Sequence, residues 1–92
     1  MKREMSVNGT FYPTSTEELK RYFKYFSDIY EKNKVVSLAT CRAVIVPHAG
    51  YIYSGYTANI AYKLLEQARL TNFVIIGPSH RVAFEGVSLC SF

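Results

Sequence analysis

The sequence predicts an α/β fold: a βαβ unit with parallel strands, preceded by a further helix. Two observations carry that prediction. Residues 42–46 and 73–76 are short, continuous, β-branched runs, each closed by a Pro or Gly turn, the pattern of strands buried on both faces of a parallel sheet. Between them lies one helix-length segment, which is what a parallel crossover requires. A third observation points to function. Each run leads into a histidine, His48 or His80, and the 92-residue chain has no other histidine.

The first helix is expected to begin near Thr14 or Ser15. Ser15 with Glu18 three residues on fits a capping box, and Glu17 and Glu18 sit where the helix dipole favours acid. Leu19, Tyr22, Phe23, Phe26, Ile29 and Tyr30 recur at spacings of three and four and make one apolar stripe. Lys20, Arg21, Lys24, Asp28 and Glu31 fill the other, solvated side. Residues 35–39 read equally as a short strand or a linker. The second helix is expected over about 55–68, with Ser54 as its N-cap and Ala58, Ala61, Leu64, Leu65 and Ala68 as its packing face. Residues 86–92 read as a third strand with no closing turn. Residues 1–92 are therefore read as one partial domain.

Composition narrows the function. The hydrophobic fraction of 49% is that of a folded chain. A net charge of +4 without a basic run argues against a nucleic-acid partner, because phosphate binding needs a clustered stripe. No apolar stretch reaches membrane-spanning length, and the N-terminus lacks a signal-peptide core. Cys41 and Cys90 have no metal-ligand spacing and read as reduced thiols. The expectation is a cytoplasmic protein with no membrane partner.

If the two strands are neighbours, both histidines emerge at the carboxyl edge of the sheet, roughly 5 Å apart, where two imidazoles can share one metal ion. Two histidines and a carboxylate suit non-haem iron; two histidines and a thiolate suit copper or zinc. No third ligand stands out: Glu85 lies near His80 on a loop, Cys41 at the opposite sheet edge, and Cys90 within a strand. Phe11 and Tyr12 are large residues in a loop and read as a core lid or a pocket wall. Tyr51 and Tyr53 lie between Gly50 and Gly55, and could line a pocket or pack against Phe11 and Phe84. Ser79 beside His80 does not make a nucleophile and base, because adjacent residues on an extended loop point apart.

The segment Pro47-His48-Ala49-Gly50-Tyr51-Ile52-Tyr53-Ser54-Gly55, with Gly77-Pro78-Ser79-His80, resembles the Memo-like protein family. Gly9-Thr10-Phe11-Tyr12-Pro13 and Phe84-Glu85-Gly86-Val87 are also similar to that family's N-terminal pattern. The resemblance implies a three-layer α/β domain related to the class III extradiol dioxygenases, of which residues 1–92 would be the N-terminal third. It implies that His48 and His80 are metal ligands, with iron or copper favoured over zinc. It implies that Phe11, Tyr12 and Tyr53 lie near that pocket, and Tyr51 and Ser79, beside Tyr53 and His80 in the sequence, are read as further candidate pocket residues. The family's third ligand, a cysteine, lies far downstream of the part this chain resembles. The implied function is a metal-dependent redox or dioxygenase-like protein, a non-haem oxidoreductase. The alternatives are a non-catalytic module binding an anionic ligand or phosphopeptide, and an inactive fragment. The expected partners are a small molecule or peptide, and a second copy or the remainder of a longer chain.

Overall fold

The computed structural model describes residues 4–33 and 41–89. Two helices form, α1 (Thr16–Lys32) and α2 (Tyr51–Gln67). α1 starts where its local signals put it. Ser15 is extended, and its hydroxyl accepts the Glu18 backbone N–H at 3.2 Å, relieving one orphan donor of the first turn. Asn33 closes the other end, where its side-chain amide and backbone N–H both donate to the Ile29 carbonyl at 3.1 Å. Lys24 and Asp28 pair at 2.6 Å on the exposed side, one turn apart, which adds little.

α2 begins earlier than its sequence suggests. Gly50, not Ser54, is the N-cap, and it offers no side-chain oxygen. The first-turn donor is satisfied from elsewhere: the Tyr51 N–H donates to the Phe11 carbonyl at 2.8 Å. The Ser54 hydroxyl turns back to the Ala49 carbonyl at 3.2 Å. The loop that supplies Phe11 is itself held by Gly9, whose φ of +84° few L-residues adopt and whose N–H donates to the Tyr12 carbonyl.

The helices pack through aromatic rings. Phe26 and Tyr30, at 6% and 3% exposure, are the buried residues of α1. Phe26 lies on Gly55 of α2 so closely that a Cβ there would meet its ring at 2.6 Å. Tyr22 contacts Tyr51, and the Gln67 side-chain amide donates to the Tyr30 hydroxyl at 3.4 Å. These pairings advance in the same sense along both helices. Leu19, Tyr22 and Ile29 are half-buried, as are Ala58, Ala61, Leu64, Leu65 and Ala68 of α2.

The α/β expectation is overturned. Among the described residues there is no strand ladder, and the one bridge is the isolated Asn8–Tyr12 pair. Residues 42–46 and 73–76 lie outside regular structure and share no backbone hydrogen bond. Ile45 and Ile76 are exposed at 102% and 91%. The reason is physical: a buried parallel strand needs neighbours on both edges and cover on both faces, and an apolar run cannot supply these alone. The expected third strand fails likewise over 86–89, whereas 90–92 and the 35–39 segment lie outside the described residues.

Candidate functional site

His48 and His80 come together without a sheet. Their Nε2 atoms are 3.0 Å apart, and their ring centroids 5.2 Å apart at an interplanar angle of 49°. His48 stands just ahead of the Gly50 cap of α2, so the start of the helix fixes its backbone. His80 follows a turn held by Ser79, whose hydroxyl donates to the Val82 carbonyl and accepts the Val82 N–H. At this separation the two nitrogens either share one proton or direct both lone pairs at one cation.

Behind His48 opens a cavity of about 320 Å³. Phe11, Tyr12, Phe23, Phe26, Val46 and Tyr51 are among its lining residues; the cavity is chiefly apolar and lies between the Gly9 loop and the two helices. Tyr51 sits in the middle of the aromatic cluster, with its ring 5.8 Å from Tyr12, 6.2 Å from Tyr22 and 6.1 Å from Phe23. Burial pushes the Tyr51 hydroxyl above its ordinary pKa, and the neighbouring Tyr62 and Tyr12 hydroxyls push in the same direction.

Of the residues expected at a pocket, Phe11, Tyr12 and Tyr51 line this cavity beside His48. Tyr53, 86% exposed, and Ser79 are not among its lining residues. Tyr51 packs on Tyr12, Tyr22 and Phe23; Phe84 is exposed and makes no ring contact with it among the described residues. Glu85 is exposed, the Cys41 thiol contacts the Ala43 carbonyl at 3.5 Å, and Cys90 lies outside the described residues. Among the described residues no three His, Cys, Asp or Glu side chains converge on a point where an ion could sit. Sequence reasoning missed Asn59 and Tyr62 on the cavity wall. Their signal was present, since Tyr51, Gly55, Asn59 and Tyr62 recur at spacings of four and three and so share one helix face.

His48 lines the cavity and faces His80, and comparison with known proteins gives the family. The family model described as "Memo-like protein" matches residues 3–92. The chain is 46% identical to a MEMO1 family protein of Thermoplasma acidophilum over 81 residues, 88% of this chain and 29% of that protein. It is 39% identical to a MEMO1 family protein of Aquifex aeolicus over 89 residues, 97% of this chain and 31% of the relative. It is 36% identical to the protein memo-1 homolog of Caenorhabditis elegans over 91 residues, 97% of this chain and 25% of the relative. No solved structure matches. The chain belongs to the Memo-like protein family. It spans about three-tenths of the length of the first of these curated relatives. No helix among the described residues is long and apolar enough to cross a membrane.

Proposed function

We propose that this chain contributes two ligands, His48 and His80, to one iron or copper site in a Memo-like redox protein. The single observation behind this reading is the 3.0 Å separation of the two Nε2 atoms at the rim of the cavity. Two imidazole nitrogens this close could be held by one ion, and iron or copper would accept them. Both donors would be imidazole nitrogens, a ligand type that these metals accept. Iron or copper bound there would supply one-electron chemistry. The chain's own residues do the rest: the α2 start holds His48, the Ser79 turn holds His80, and an aromatic wall lines the space behind His48. A third protein ligand is left to residues beyond those described.

Anaerobic equilibrium dialysis with Fe²⁺ and with Cu²⁺ tests the reading. One weakly held ion per chain, lost in His48→Ala and in His80→Ala, is the expected result. Binding that survives both substitutions would overturn it.

A further inference from the structure

His48 has little backbone support of its own. Among the described residues, the backbone of residues 44–48 makes no hydrogen bond. What holds this segment follows it. The Ser54 hydroxyl donates to the Ala49 carbonyl at 3.2 Å, a bond within the start of α2. The Tyr51 N–H donates to the Phe11 carbonyl at 2.8 Å, and among the described residues this is the one backbone hydrogen bond that ties the start of α2 to a distant part of the chain. The Tyr12 ring, 5.8 Å from that of Tyr51, adds a second link between the same two segments. A compact loop aims the Phe11 carbonyl. The Val7 carbonyl accepts the Thr10 N–H at 3.1 Å, the Phe11 N–H at 3.0 Å and the Thr10 hydroxyl at 2.9 Å, and the Gly9 N–H donates to the Tyr12 carbonyl at 2.8 Å. The loop turns on Gly9 at a φ of +84°, where a β-branched residue is strained, and a Cβ there would also press on Thr14 Cγ2 at 3.2 Å.

We infer that the Gly9 loop is a positioning element of the histidine pair: through the Phe11 carbonyl it fixes the start of α2 and so holds His48 opposite His80. A side-chain cap at residue 50 would satisfy the helix start locally and leave it free of the N-terminal loop. Gly50 has no side chain to do this, and the acceptor comes from Phe11 instead. Gly9 is thereby a positioning residue, acting on His48 through Phe11 and Tyr51. The inference rests on the metal reading only in giving the paired imidazoles an ion to hold.

NMR of the whole chain, with EDTA present, tests this. The unsubstituted chain is expected to show a coupling through the hydrogen bond between the Tyr51 amide nitrogen and the Phe11 carbonyl carbon. It is also expected to show a nuclear Overhauser contact between carbon-bound ring protons of His48 and His80. Gly9→Val is expected to lose both signals and to keep the contact between the Phe26 ring and Gly55, which reports helix packing. D-alanine at position 9, introduced by ligating a synthetic segment 1–40 at Cys41, is expected to keep all three signals, because a D-residue adopts positive φ without strain. Absence of either signal in the unsubstituted chain overturns the inference without needing any variant to fold. So does a Gly9→Val chain that keeps the histidine contact, or a D-alanine chain that loses it. A Gly9→Val chain that also loses the Phe26–Gly55 contact makes Gly9 a residue of the whole fold, and overturns the inference as well. EDTA keeps metal out of every arm, so a failed dialysis leaves these outcomes standing, and a Gly9→Val chain that keeps the histidine contact leaves the metal reading standing.

Discussion

His48 and His80, 32 residues apart in the chain, face each other with Nε2 atoms 3.0 Å apart. If both hold one ion, their contributions are not independent. His48→Ala and His80→Ala should each weaken Fe²⁺ or Cu²⁺ binding at least about tenfold, since loss of even an outer-shell partner costs 10–100-fold. The double substitution should be little worse than either single one, because the first already breaks the shared site. Calorimetric titration of the four proteins checks this; additive losses would point to two separate sites.

Gly55 is where the helices meet. Its Cβ-free backbone leaves room for Phe26, whose ring would stand 2.6 and 2.7 Å from an added Cβ. Gly55→Ala should lower stability by about 1–3 kcal/mol, the usual cost of overpacking. Adding Phe26→Leu should recover part of that loss. Urea midpoints of the two variants measure it, and an unchanged midpoint in Gly55→Ala would contradict the packing.

The Tyr51 hydroxyl is held above its ordinary pKa of 10.0, chiefly by burial. Between the unfolded and folded values the native chain therefore holds more protons than the unfolded chain. The stability Tyr51 contributes is complete below about pH 10 and is lost as pH rises through the folded value. Stability should fall as pH rises above about 10, and Tyr51→Phe should flatten that part of the curve. Denaturant melts across this range, compared between the two proteins, provide the check.

Ile45, Val74, Ile75 and Ile76 are exposed large apolar residues. Surfaces of this kind drive association. Light scattering coupled to size exclusion should report species larger than a monomer, and Ile45→Lys with Ile75→Lys should shift the distribution towards monomer. A monomer that unfolds cooperatively without these substitutions would contradict this.

What could be read from the sequence was what residues a few positions apart decide. Ser15, Glu18 and the stripe from Leu19 to Tyr30 mark α1, because capping and helical periodicity act within a turn or two. The sequence puts the start of α2 four residues late because the acceptor for its first N–H is the carbonyl of Phe11, forty residues upstream, and no local pattern signals that contact. The expected strands at 42–46 and 73–76 failed for a related reason: β-branching expresses a preference, and ladders need partners. The meeting of His48 and His80 was expected from sheet geometry, yet here the start of α2 and the turn after Ser79 bring them together. Phe11, Tyr12 and Tyr51 fall on the cavity wall, whereas Asn59 escaped notice because an orphaned donor can be recognised only once its surroundings are known.

X-ray absorption at the iron or copper edge, with one equivalent of metal bound, tests the central claim most directly by counting imidazoles on the ion. The account predicts two in the unsubstituted chain and one in either His48→Ala or His80→Ala, loaded with enough excess metal to populate the weakened site. An imidazole count that stays the same when His80 is removed would contradict it.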